Sequence, residues 1–97
     1  MTRIFLRAHG IVQSVGYRAI TKYIADPNKI KGFVRNAADG SVEVLAEADD
    51  ASLERFIGQL HIDDGNIQVF DIETDSDLAK KFKDRKLSGF VIEEGED

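Results

Sequence analysis

The apolar and polar positions of this chain fall into short periodic segments, and each segment predicts an element. From Arg3 to His9, residues Ile4, Leu6 and Ala8 face one way and Phe5, Arg7 and His9 the other, the period of a half-buried strand. Tyr17 to Ala25 carries Ala19, Ile20, Tyr23 and Ile24 at helical spacing, and Pro27-Asn28 breaks it. Lys31 to Asn36 reads as a second strand centred on Phe33. Ala37 to Gly40 is a turn whose Asp-Gly pair favours a hairpin. Ser41 to Glu47 alternates again, with Val42, Val44 and Ala46 on one side. Asp49-Asp50-Ala51-Ser52 has the acidic character of a helix start, and Leu53, Phe56, Ile57 and Leu60 then recur at helical spacing. Asp63-Asp64-Gly65-Asn66 ends that helix. Ile67 to Thr74 is a fourth strand, with Ile67, Val69 and Asp71 out of phase with Phe70 and Ile72. Leu87 to Glu93 is a short fifth, and the acidic tail from Glu93 to Asp97 is expected to fray.

The order is β-α-β-β-α-β with an extra strand. This predicts an α+β fold of ferredoxin-like plan, a βαββαβ sandwich of an antiparallel sheet with two helices on one face. No repeat or linker divides the chain, so one domain is expected over residues 1–97. Thr74 to Lys86 is the odd segment, with Lys80, Lys81, Lys83, Arg85 and Lys86 around Phe82. It reads as a long connection with room for one or two helical turns from Asp77. Such a cluster could be an interaction patch. A solvated surface is preferred, because Asp75, Asp77 and Asp84 neutralise part of it.

Composition adds exclusions. The chain has 97 residues, 42% hydrophobic and 32% charged, enough for a modest core without staples. It has no cysteine, hence no disulfide framework, thiolate nucleophile or thiolate metal site. The first residues are too interrupted for a signal peptide, and no apolar run reaches membrane-span length. A cytoplasmic, soluble monomer is expected. The formal charge of −5 argues against nucleic acid as a partner but leaves room for a local cationic site.

Gly10 to Arg18, Gly-Ile-Val-Gln-Ser-Val-Gly-Tyr-Arg, is the stretch with chemical promise. It joins a strand to a helix start, and glycine lets backbone N–H groups turn inward. The helix start adds free donors, and Arg18 adds an always-ionised fork matched to phosphate oxygens. It is not a P-loop, since five residues separate Gly10 from Gly16 and Tyr17-Arg18 follow. Many strand-to-helix turns carry a glycine and bind nothing, so the loop by itself decides little. A second stretch, Gly32-Phe33-Val34-Arg35-Asn36 with Asp39-Gly40, changes the balance. Together the two resemble the acylphosphatase family, with its Gly-x-Val-Gln-Gly-Val-Gly-Phe-Arg loop and its Gly-Trp-Val-Arg-Asn strand end. The resemblance weakens after Leu60. Ser14 stands where the family usually has glycine, and would be strained if that position needs positive φ. Pro27 should end the first helix about a turn early.

In a ferredoxin-like sheet the first strand lies between the third and fourth. The end of strand one then lies beside the hairpin end of strand two. Asn36 should therefore meet the loop at one edge of the sheet, although it lies eighteen positions beyond Arg18. The resemblance implies hydrolysis of acyl phosphates, small molecules, with no metal and no cofactor. It implies Arg18 and Asn36 as the catalytic pair, and Gln13, Ser14, Val15, Gly16 and Tyr17 as the phosphate-binding loop. Arg18 and the amides from Ser14 to Tyr17 would hold the phosphoryl oxygens, and Asn36 would orient the water. Such a site holds no strong acid or base, and an acyl phosphate needs none because its leaving group is a carboxylate. Other readings stay open. Asn36 could cap its own turn, and Arg18 could pair with an acid on the surface. Gln13 and Arg35 fit structural or rim roles, His9 a solvated strand end, and His61 a helix C-terminal cap. Asp49-Asp50, Asp63-Asp64 and Asp71-x-Glu73-x-Asp75 are assigned no metal. The rival function is a non-catalytic anion-binding or regulatory module on the same fold. An RNA-binding module would need exposed strand aromatics and a basic face.

Overall fold

Eight elements follow one another in the computed structural model, which describes residues 1–95: β1 (Thr2–Ile11), α1 (Tyr17–Ala25), β2 (Lys31–Asn36), β3 (Val42–Ala48), α2 (Asp50–Leu60), β4 (Gln68–Thr74), α3 (Ser76–Lys81) and β5 (Phe90–Ile92). Glu96 and Asp97, the last of the tail expected to fray, lie outside the described residues. The strands form one sheet in the order β4-β1-β3-β2-β5. β1 runs antiparallel to β3 and β4, and β2 antiparallel to β3. β5 pairs with β2 in parallel, so the sheet is mixed and not wholly antiparallel as expected. The first six elements are consistent with the ferredoxin-like plan; α3 and β5 are additions to it.

Topology explains the third helix. β4 and β5 are opposite edges of the sheet, and four strand spacings of about 4.8 Å put them roughly 19 Å apart. Residues 75–89 must therefore cross a whole face. They cross the face bearing Phe5, Leu45 and Phe33, which are cross-strand neighbours. Leu78, Ala79, Phe82 and Leu87 pack on this trio. The Phe82 ring stacks on Phe5 at 5.8 Å and meets Phe33 edge-on at 5.5 Å. Phe5, Phe33 and Leu45 end up at most 1% exposed. Each such burial stabilises the fold by about 2 kcal/mol. The segment expected to be a solvated connection is thus a cover. Its lysines are exposed and its apolar residues half-buried, while the Arg85 guanidinium lies over the Phe33 ring at 4.7 Å. Leu87 turns down onto the trio, which is why β5 is shorter than Leu87 to Glu93.

The other face carries the main core. Leu6, Ala8, Val34, Val44 and Ala46 lie under Tyr17 and Ala25 of α1 and Leu53 and Phe56 of α2. The buried stripe of α1 is Tyr17, Thr21 and Ala25, flanked by Ile20 and Ile24, so Ala19 and Tyr23 face outward. α1 ends at Ala25, two residues before Pro27, as expected. In β4 simple alternation fails by one residue. The register steps from His9↔Asp71 to Gly10↔Val69, leaving Phe70 unpaired and 71% exposed. This bulge brings both Val69 and Ile72 to the core side. Gly10 has φ 136, and a Cβ there would strike the Gln68 carbonyl and come within 2.9 Å of the Phe70 nitrogen.

One row of the sheet sets the site. Ala8 pairs with Val42, and Val42 with Asn36. The end of β1, the start of β3 and the end of β2 are therefore aligned.

Candidate active site

The loop after β1 is held at its root by Val12, a buried core residue. Ser14 has φ 61 and Gly16 φ 85, two left-handed residues within three positions. Alternation of this kind turns successive N–H groups to one side. Gly16 is the N-cap of α1 and has no side chain with which to cap it. The first helical bond runs from the Ile20 N–H to the Gly16 carbonyl. The amides of residues 14–18 meet no protein acceptor among the described residues. α1 also has no acidic residue in its first turn. By contrast, α2 starts behind Asp49 and Asp50, and α3 behind Asp75 and Asp77. Those helices satisfy their own N-termini, whereas α1 keeps its donors and partial positive charge open.

Arg18 sits on that open turn, half-buried. Arg3 pairs with Glu47, Arg7 with Glu43 and Asp75, Arg35 with Glu43, and Arg85 with Glu93. Arg18 makes no ion pair or side-chain hydrogen bond among the described residues. Its fork is therefore not committed to an internal carboxylate.

Gln13 joins the loop to the neighbouring hairpin. Its Nε2 donates to the carbonyls of Ala37 and Ser41, 2.8 Å each. The hairpin is in turn shaped by Asp39, whose Oδ1 accepts from the Ser41 hydroxyl at 2.6 Å and the Ser41 N–H at 2.9 Å. The hydroxyl bond first, and then the amide bond, hold the Asp39 carboxyl below the usual carboxylate range. Asn36 ends β2 beside this hairpin. Its Oδ1 is buried and has no hydrogen-bond partner among the described residues. Asn36 does not cap its own turn; that role falls to Asp39.

The loop residues thus divide. Ser14 is exposed, and its backbone is in the strained left-handed region. Val15 packs partly on the core. Tyr17 is buried, and its hydroxyl donates to the Leu60 carbonyl at 2.9 Å, tying α1 to the end of α2. Burial pushes its phenol well above the usual range. Tyr17 can offer only its backbone N–H to the loop, and the Gln13 side chain is committed to the hairpin. Arg35 is structural, lying over the Phe33 ring at 5.0 Å. His9 faces Glu73 at 2.7 Å, and the His61 Nδ1 is 3.0 Å from the Ile57 carbonyl at the end of α2. The acidic residues have local work: Asp49 caps α2, Asp64 accepts from the Asn66 and Ile67 amides, and Asp75 caps α3. Sequence reading missed the Ala37 and Ser41 carbonyls as anchors of the loop. The spacing Asp39-x-Ser41, an Asx turn, was the available signal. A groove bounded by Arg3, Phe5, Glu47, Asp75 and Lys83 opens at the far end of β1. Eight residues of strand place it roughly 26 Å from the loop.

A family model described as Acylphosphatase matches residues 4–92. The chain belongs to the acylphosphatase family. The acylphosphatase of Paenarthrobacter aurescens is 38% identical over 87 residues, which cover 88% of this chain and 92% of that one. That of Pediococcus pentosaceus is 47% identical over 57 residues, 59% of this chain and 63% of its own length. The crystal structure of acylphosphatase from Bacillus subtilis superposes with a TM-score of 0.82 at 28% identity, over 96% of this chain and 99% of that one. Within this family, Ser14 departs from the glycine usual at its position, and its φ of 61 shows that the left-handed shape is kept without glycine.

Proposed function

We propose that this chain hydrolyses the carboxyl–phosphate bond of small-molecule acyl phosphates without a metal or cofactor. In this reading residues 1–97 act as one domain, a cytoplasmic monomer that takes no nucleic acid. The amides of Ser14 to Tyr17 and the Arg18 guanidinium hold the nonbridging phosphoryl oxygens. These donors are fixed before the substrate arrives, so they favour the charge distribution of the transition state at little reorganisation cost. Asn36 Oδ1 accepts a hydrogen bond from the attacking water and sets it in line. The water oxygen forms the new bond to phosphorus as the bond to the acyl oxygen breaks. The bonding pair leaves with the carboxylate. One proton stays on the entering oxygen and the other passes to a nonbridging oxygen, giving a carboxylate and dihydrogen phosphate. A carboxylate leaving group, with a pKa near about 4, needs no general acid.

The observation that carries this reading is the buried, unpartnered Oδ1 of Asn36, on the residue in register, through Val42, with Ala8 of the strand that leads into the loop. A buried acceptor left unmade costs about 1–3 kcal/mol, and a water hydrogen-bonded there would offset it. The test is release of inorganic phosphate from an aromatic acyl phosphate with EDTA present. Turnover that survives the chelator is expected. Phosphate binding without turnover would leave a non-catalytic anion-binding module instead.

A further inference from the structure

Asn36 has a neighbour on the side away from β3. β5 runs beside β2 with Phe33↔Val91 and Val34↔Ile92 in register. The Glu93 N–H donates to the Val34 carbonyl at 2.9 Å and carries the pairing past the end of β5. Two residues later Gly95 lies directly on the main chain of Asn36. A Cβ at Gly95 would overlap the Asn36 carbonyl oxygen and come within 2.6 Å of its carbonyl carbon and 2.7 Å of its nitrogen. All three are backbone atoms of one residue, so no side-chain rotation could relieve the collision. Val42 fixes Asn36 from the β3 side, and Gly95 closes the other.

We propose that Gly95 is a positioning residue for Asn36, a reading that rests on the water-orienting role proposed above. Only a residue without a side chain can come this near, and the approach fixes the peptide from which the Asn36 carboxamide springs. The buried Oδ1 keeps its aim only while that peptide keeps its place. The loop amides and Arg18 lie between β1 and the first turn of α1, and the atoms nearest a Cβ at Gly95 all belong to Asn36. Disturbing Gly95 should therefore slow the chemical step and leave anion binding alone. Small misplacements of an orienting group are costly in rate.

The experiment compares the full chain with Gly95→Ala and with a chain ended after Glu94, which removes the cover without adding a methyl. With an aromatic acyl phosphate, both should lose kcat by about tenfold or more. Competitive inhibition by inorganic phosphate should stay within about twofold. In the Asn36→Ala background, Gly95→Ala should cost nothing further, because the group it positions is gone. The side-chain amide resonance of Asn36 should shift in Gly95→Ala, and the backbone amides of residues 14–18 should not. A folded variant with unchanged kcat overturns the proposal, and so does equal loss of turnover and phosphate inhibition. Should Gly95→Ala fail to fold, the shortened chain decides by the same split. An inactive parent chain would instead mark failure of the acyl phosphate reading.

Discussion

At the scale of single residues, Ser14 shows how a departure from a motif can be absorbed. A left-handed backbone costs an L-residue with a Cβ roughly 1–2 kcal/mol. Ser14 adopts φ 61 nonetheless, so the strain is taken as lost stability and not as a changed loop. Ser14→Gly should raise stability by up to about 1 kcal/mol, since glycine's greater freedom in the unfolded chain offsets part of the relief. A urea melt reads the gain, and turnover should barely move. Tyr17 belongs to the same scale. Its family-like position in the loop was legible, but its buried hydroxyl on Leu60 was not, because residue 60 is remote in sequence. Tyr17→Phe removes one of the two hydrogen bonds to the Leu60 carbonyl, which keeps the Ile62 N–H at 3.0 Å, and should cost about 1 kcal/mol in the same measurement.

At the scale of elements, α3 and its flanks decide whether the second face of the sheet is covered. Phe82 is the centre of that cover. Phe82→Ala should destabilise by about 2–3 kcal/mol, below the usual value for a fully buried ring because Phe82 is only half-buried. Its effect should appear in denaturant melts and not in turnover, since the loop belongs to the other end of β1. The cover is also tied down by Asp75, which caps Leu78 and pairs with Arg7 at 3.0 Å. The cap on Leu78, and then Arg7, hold the Asp75 carboxyl below the usual range. A folded value below the unfolded one means the contribution is full above about pH 4 and is lost as pH falls through the folded value. The melting temperature should drop on acidification through that window, and Asp75→Asn should flatten the drop. β1, β3 and α2 were legible because their apolar residues keep a period, whereas α1 was found with its buried stripe misread, since Tyr17, Thr21 and Ala25 face the core and Ala19 and Tyr23 do not. The cover was not. Leu78 and Phe82 are one helical turn apart, but the run is short, Leu87 falls outside it, and the lysines between them read as solvent. The β4 bulge was missed for a related reason, since one extra residue reverses the apparent faces of Val69 and Phe70.

At the scale of the whole molecule, the strand order puts the ends of β1 and β2 on the same side of the sheet. Arg18 follows the end of β1 and Asn36 ends β2, and the Ala8–Val42–Asn36 row sets those two strands in register. The motifs were readable in the sequence, whereas the parallel β5 that seats Gly95 on Asn36 was not. As a monomer the chain should sediment at 10.8 kDa. The most direct measurement of the division of labour is steady-state hydrolysis of an aromatic acyl phosphate, with inorganic phosphate as inhibitor, by the parent chain, Arg18→Ala and Asn36→Ala. Arg18→Ala should lose about 10²–10³ in kcat, as expected for a missing donor to the transition state, together with phosphate inhibition. Asn36→Ala should lose turnover and keep phosphate inhibition. Full activity in Asn36→Ala, or undiminished phosphate inhibition in Arg18→Ala, would contradict the account.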